Sequence, residues 1–414
     1  MRFRDIIKHK FGGVRHMTLE EFIGHPIEEE FNTLAAPLKE LPDQDLSDHL
    51  TKSSTNSTSK KDKAEFPRVH RKTTDKVKKN PTEIANNEIK IVNLDNKPYD
   101  LDKLRKMLST RPKVEDIITQ NGKMAKSGKL SGSSVWNLGL PAFKGLTVDE
   151  ETGKFYIVDT CPDAGACIVN CFGRKGSYIQ YDNSSEKLSK MLTWLLNDPE
   201  SFKRKLIRQI GRTREDNEDA DLKTVIRWHD VGDFFSEEYL EFAIDVAKRS
   251  PDVMFYAYTK SPGAYNSSNL PPNFVMRFSD GGNKASQDGV DMTKARTSRL
   301  VTRDVFKDLI GKVKNPYTGR MVDAYADYEH KMDNGKMVMV GLGTKLLKDK
   351  ESYNVLKQRV ADKFDIPLDT IVYLTELAKI PVGTEMKWNV IVLPKDPDDA
   401  AIRRDVHGVY LTEH

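Results

Sequence analysis

The chain has 414 residues, more than one small domain requires and enough for a catalytic body with appendages. Its 66 basic and 62 acidic side chains leave a net charge of +4, far from the excess of a dedicated nucleic-acid binder. No apolar run reaches membrane-spanning length, and an odd count of three closely spaced cysteines argues against a disulfide framework.

The N-terminus, Met1-Arg2-Phe3-Arg4-Asp5, lacks the apolar stretch of a secretion signal, so a reducing cytoplasm is expected. Residues 1–40 form a first segment, in which Thr18-Leu19-Glu20-Glu21-Phe22-Ile23 predicts a capped helical turn. Residues 41–87 form a low-complexity linker, with a Ser/Thr run from Thr51 to Ser59 followed by Lys60, Lys61 and Lys63. Such a stretch buries too little apolar area to offset its ordering entropy, so a disordered or extended tail is expected. Its basic run from Lys72 to Lys79 reads as a solvated tether, with nucleic acid or a host protein as the alternative partner of such charged tails.

Order is expected from Glu88-Ile89-Lys90-Ile91-Val92 onward, with a core over 88–300. Phe155-Tyr156-Ile157-Val158 predicts a strand that runs straight into the cysteine loop. The spacing of Leu188, Met191, Leu192, Leu195 and Leu196 predicts a helix over 186–196, and a second follows over 200–210. Thr224-Val225-Ile226-Arg227-Trp228 predicts a strand. Ser236 reads as the N-cap of a helix that buries Leu240, Ala243, Ile244 and Ala247 and stops at Pro251. Val253–Tyr258 and Asn273–Phe278 predict two more strands. Residues 301–414 read as a further α/β part, with strands at Val338–Val340 and Trp388–Leu393 and a helix over Tyr353–Phe364. Gly341 and Gly343 match only part of a dinucleotide fingerprint and read as a tight turn. Strands alternating with helices predict an α/β fold with a parallel sheet, either a partial or complete β/α barrel or a doubly wound layer.

The chemistry concentrates at the strand ends. All three cysteines lie in one window, Cys161-Pro-Asp-Ala-Gly-Ala-Cys167-Ile-Val-Asn-Cys171, which suggests three thiolates around one metal centre with a vacant position. Later strands end in His229-Asp230-Val231-Gly232-Asp233, in Thr259-Lys260-Ser261 and in Ser279-Asp280-Gly281-Gly282. In parallel α/β folds these ends open on one face, so the four clusters are expected to converge. His229, Asp230 and Lys260 are the candidate catalytic side chains: His229 as ligand, base or donor, Lys260 for a carboxylate or phosphate. Asp233 or Asp230 suits an ammonium or ribose hydroxyl, and Gly232 and Gly282 permit close backbone approach. Arg174 and Lys175 would balance the thiolates. Each residue alone has an ordinary reading as a cap, a solvated lysine or a structural histidine. Trp136, Trp228, Tyr256 and Tyr258 read as core or pocket wall.

Several of these stretches resemble the phage gene product 88 family. They are Trp136-Asn137-Leu138 with Pro141-Ala142, the cysteine window with Lys175-Gly176-x-Tyr178, Arg227-x-His229-Asp230-x-Gly232-Asp233-Phe234-Phe235-Ser236, Tyr258-Thr259-Lys260-Ser261 and Arg277-x-Ser279-Asp280-Gly281-Gly282. The order of motifs is also similar to that of radical S-adenosylmethionine barrels. That resemblance implies a 4Fe–4S cluster on Cys161, Cys167 and Cys171. It further implies that Gly232 and Asp233 hold the ammonium of S-adenosylmethionine, with Ser279, Asp280, Gly281 and Gly282 as further cofactor contacts. The spacing departs from that pattern, with five and then three residues between cysteines instead of three and two, and with Asn170 at the usual aromatic position. The expected function is an iron–sulfur protein, as an enzyme acting on a nucleotide or nucleic-acid-derived substrate. The alternative is a zinc site of Cys161, Cys167, Cys171 and His229 in a non-enzymatic phage protein that binds a host factor or nucleic acid.

Overall fold

The computed structural model describes residues 38–41, 101–121, 124–168, 171, 173, 182–305, 307–315, 318–323, 327–331, 337–341, 347–393 and 396–412. The expected helical turn at Thr18, the linker beyond Leu41 and the ordered start at Glu88 lie outside them. The chain divides into two compact units, one of Met1–Asn121 with Ser134–Asp291 and one of Gly122–Ser133 with Met292–His414.

The elements of the first unit, in chain order, are β1 (Leu38–Leu41), α1 (Leu101–Ser109), β2 (Ser133–Leu138), β3 (Lys144–Val148), β4 (Phe155–Asp159), α2 (Asp182–Asn197), α3 (Pro199–Asp219), β5 (Lys223–Trp228), α4 (Glu237–Lys248), β6 (Met254–Thr259), α5 (Pro262–Tyr265), β7 (Phe274–Ser279) and α6 (Lys284–Asp288). Strands β2, β5, β6 and β7 lie side by side in that order, and β5, β6 and β7 are parallel. Both faces of β5 are covered: Thr224, Val225, Ile226 and Trp228 are all buried. This is why these strands read as continuous apolar runs rather than alternating ones.

Helix α4 forms as its sequence predicts. The Ser236 hydroxyl accepts from the Tyr239 amide at 3.2 Å, and Glu237 and Glu238 sit at the positive end. Its far end is closed by Asn273, whose Nδ2 donates to the carbonyls of Ala247, Ser250 and Val253 at 2.9 Å each. Trp228 is fully buried among the rings of Tyr239, Phe242, Phe255 and Phe274, and its Nε1 donates to the Tyr239 hydroxyl at 3.1 Å. Helix α3 starts at Asp198, which caps the Ser201 amide, with Pro199 in its first turn.

Two expectations are corrected here. Among the described residues no sheet closes, so a complete β/α barrel is not shown and the parallel strands form open rows. The strand before the cysteine loop, expected to lead the parallel body, belongs to a separate antiparallel sheet with the order β1-β4-β3. The reason is local. Asp149 accepts from the Glu151 amide at 2.9 Å and the Thr152 hydroxyl at 2.7 Å, and Gly153 takes a φ of +72°. That turn folds β4 back on β3, and a hairpin closes far less chain than a parallel crossover does.

The second unit contains β8 (Thr297–Val301), β9 (Lys312–Lys314), β10 (Met321–Asp323), β11 (Asp327–Lys331), β12 (Met337–Gly341), α7 (Lys350–Phe364), β13 (Ile371–Tyr373), α8 (Leu374–Leu377), β14 (Trp388–Val392) and β15 (Val406–Thr412). Strands β13, β14, β15 and β8 form a parallel row in that order. Gly341 ends a strand paired antiparallel with β11, not the strand-to-helix turn of a dinucleotide site, and Gly343 lies outside the described residues. The connections around β14 hang on Arg403, which donates to the carbonyls of Leu377, Ile380 and Pro381 and to the Asp405 carboxylate.

Trp228→Ala should cost about 3–5 kcal/mol, the usual range for emptying a large aromatic site. Urea denaturation followed by fluorescence reads this directly. Asp405 gives a pH-dependent counterpart. Burial pushes its carboxyl up, but the Arg403 guanidinium and the Gly383 amide outweigh that and hold it below the ordinary 3.8. A depressed folded value means the stabilisation is complete above the unfolded pKa and is lost as pH falls through the folded one. Stability should therefore decline below about pH 4, and Asp405→Asn should flatten that acid limb in melts across pH.

Candidate functional site

The cysteine loop begins at the end of β4. The Asp159 carboxylate accepts from the Cys161 amide at 3.0 Å, and the Thr160 hydroxyl donates to the Pro141 carbonyl at 2.5 Å. The loop then lies against the turn after β7 through backbone contacts. Ala164 pairs with Gly282 in an antiparallel bridge, and the Asn283 amide donates to the Asp163 carbonyl at 2.9 Å. The amides of Gly165 and Cys167 both donate to the Gly281 carbonyl, at 3.2 and 3.0 Å. Gly281 takes a φ of +84°, and a Cβ added at Gly165 would stand 2.3 Å from the Gly282 carbonyl oxygen. The close approach anticipated at Gly282 is thus made by the chain's own loop.

At the end of β5 the backbone turns through His229 and Gly232, with φ of +66° and +87°. This delivers Asp233, only 6% exposed, to the centre of the strand ends. Its Oδ1 accepts from the Thr259 hydroxyl and the Phe234 amide, both at 2.7 Å, and its Oδ2 from the Lys260 amide at 2.8 Å. Its own amide donates to the Thr160 carbonyl at 2.8 Å. Lys260 extends its ammonium to the Ser279 hydroxyl at 3.3 Å, while the Ser286 hydroxyl donates to its carbonyl.

The electrostatics bind these groups together. Burial would lower the Lys260 ammonium, but negative charge on Cys167, Asp233, Cys161 and Cys171 outweighs it and raises its pKa. Burial, then Asp233 and Cys171, push the Cys161 thiol well above its usual range. Asp163 is pushed up to about 6 by burial and by Asp233, against the Ser261 hydroxyl. Burial also raises Asp233 and Asp159, opposed by Lys260 and Lys144 respectively.

Backbone and side-chain hydrogen bonds therefore link the loop of Cys161 and Cys167 to Asp233, Lys260, Ser279, Gly281 and Gly282, and Cys171 couples electrostatically to Cys161 and Lys260. Asp280 is exposed and turns its carboxylate to the Gly281 amide at 2.7 Å. His229 and Asp230 bond elsewhere. The His229 ring is buried edge-on to Phe234, with Nε2 2.8 Å from the Tyr239 hydroxyl; burial and Arg227 push it down to about 3, so it is neutral. Its Nδ1 has no hydrogen-bond partner among the described residues. Asp230 accepts from the Val231 amide at 2.9 Å, and its Oδ1 would meet a Cβ added at Gly139. Trp228 and Tyr256 are buried, and Tyr258 stacks under Arg227.

Sequence reasoning placed Asp159 and Thr160 in the polar cluster before Cys161 without giving them a role, and it missed Asp163 and Ser286. Their signal was modest: Asp159 and Asp163 stand two residues either side of Cys161. Arg174 and Lys175 lie outside the described residues. None of the three cysteines is in a disulfide, and among the described residues no three His, Cys, Asp or Glu side chains form a ready metal-holding group. No described helix is long and apolar enough to cross a membrane.

A family model described as Gene product 88 matches residues 109–351, which include every candidate site residue. No curated protein and no solved structure matches the chain.

Gly281→Ala forces a side chain into a left-handed position against Cys167. It should loosen the cysteine loop and leave the parallel strands intact. Amide hydrogen exchange should then speed up by about tenfold over Cys161–Ile168, with β5 and β6 unchanged.

Proposed function

The chain belongs to the Gene product 88 family, and from that footing we propose that it is a phage protein whose Cys161, Cys167 and Cys171 bind an iron–sulfur cluster at the strand ends. The observation that supports this reading is that backbone hydrogen bonds tie the loop carrying Cys161 and Cys167 to the strand ends that hold Asp233, Lys260 and Gly281. Burial favours the protonated Cys161 thiol, so metal binding would displace its proton, and the Lys260 ammonium would offset part of the thiolate charge. The donor set fits a 4Fe–4S cluster with three protein ligands, and cluster assembly would draw the sulfurs together. Such a cluster has one iron without a protein ligand; in the radical S-adenosylmethionine enzymes whose motif order the sequence resembles, the cofactor binds there, and it would supply radical chemistry.

The protein's own part is placement. Asp233 accepts three hydrogen bonds, and an ionised carboxylate has about four acceptor sites, so one remains for the cofactor's ammonium. Lys260 and Ser279 form the adjoining polar wall, with Asp280 on its exposed rim. A nucleotide or nucleic-acid-derived substrate is the class proposed.

One observation favours a second reading, a Cys161, Cys167, Cys171 and His229 zinc site. Among the described residues the buried Nδ1 of His229 has no partner while Tyr239 holds its Nε2, as an outer partner commonly orients a metal-bound imidazole.

Anaerobic reconstitution with iron and sulfide decides between them. The cluster reading expects bound iron and inorganic sulfide, a broad visible absorption and an EPR signal on reduction. Each Cys→Ser variant should lose them. Tight zinc retention without sulfide, diminished by His229→Ala, would refute the cluster and support the zinc site.

A further inference from the structure

We propose that the solvent face of α3 is a self-complementary interface, against which a second copy of this chain packs its own α3 antiparallel across Gly211. Helix α3 buries Phe202, Leu206, Ile210 and Thr213 within its own unit. On the opposite side Arg204, Arg208, Glu215 and Asp219 are exposed on one stripe at helical spacing, with Gly211 between the basic and acidic pairs. None of the four charged side chains has an ion-pair partner among the described residues.

Local physics disfavours every part of this stripe. Arg204, Arg208 and Arg212 repel one another at i, i+4. Arg212 has only a loose, exposed contact with Glu115 at 3.5 Å. The acidic residues crowd the negative end of the helix dipole, and the last turn holds no basic residue to offset them. Gly211 lies mid-helix, where glycine is the poorest choice short of proline, yet a Cβ there would meet nothing within 4 Å. Nothing in the unit's own packing calls for a bare position.

An antiparallel copy accounts for all three features. With the two-fold axis between Gly211 and Arg212, Arg204 faces Asp219 of the second copy and Arg208 faces its Glu215, and the reverse pairs follow by symmetry. The bare backbone at Gly211 lets the two helices cross closely. Antiparallel alignment also sets each negative helix end, with its acidic residues, beside the other's basic half. A nucleic acid fits less well, because the acidic half of the same stripe would repel phosphate. The stripe is only about 22 Å long. Contact through one helix pair falls below the roughly 1,200 Å² of stable complexes, so the dimer is of the weak, salt-screened class.

The experiment is sedimentation velocity on the full chain over a wide concentration range, in low and high salt. Expected is a monomer–dimer equilibrium that salt weakens. R204E/R208E and E215R/D219R should each lose homodimer affinity by about tenfold or more, and an equimolar mixture of the two should pair again as a heterodimer. Gly211→Lys, which should raise helix stability, should also abolish pairing, so loss of fold cannot mimic the result; circular dichroism and melts confirm it. A wild-type chain that stays monomeric throughout overturns the proposal. So does a dimer indifferent to both charge reversals, or a mixture that fails to pair.

Discussion

One buried carboxylate sets the geometry of this protein's polar centre. Asp233 joins the ends of three strands, accepting from Thr259 and Lys260 after β6 and donating its amide to Thr160 after β4. The left-handed turn at Gly232 is what lets the chain carry Asp233 inward at that point. Each donor left stranded by its loss would forfeit about 1–3 kcal/mol, which is why such a costly group is retained in a dry place. The position of Lys260 follows from it, and so does the start of the cysteine loop one residue after Thr160.

Among the described residues, three acids crowd that brace. Asp159, Asp163 and Asp233 are all raised by burial, and Lys144 and Lys260 are the cations that oppose them. The negative charge around Lys260 is the physical reason it stays charged in a crowded site. His229 belongs to a different environment despite its place at the same strand end. It is neutral and held by Tyr239 within the aromatic layer that also encloses Trp228.

The parallel strands and α4 were legible because each is specified locally: an apolar run, a Ser236 cap, a polar stop. The cysteine loop was legible because its residues cluster in the chain. The partner of β4 was not, since an apolar run states that a strand exists without stating its neighbours. The Asp149–Gly153 turn carried that information in weaker form. The meaning of Gly232-Asp233 was also hidden, because a carboxylate that braces a fold and one that meets a ligand have the same letter. Short strands such as β13 offer too few residues for a periodic pattern. Whether the parallel strands close was not legible either, because closure depends on which edges meet, a long-range outcome no segment encodes alone.

The three-stranded sheet has a consequence for how the molecule can be cut down. Its middle strand, β4, feeds the cysteine loop and is bordered on one side by Leu38–Leu41, more than a hundred residues earlier in the chain. A trimmed protein beginning at the first described helix would strip that border away. The strand would then expose a bare row of amides and carbonyls, an invitation to stick to neighbours. The early residues therefore count among the loop's supports, and preparations meant to keep its chemistry intact should retain them.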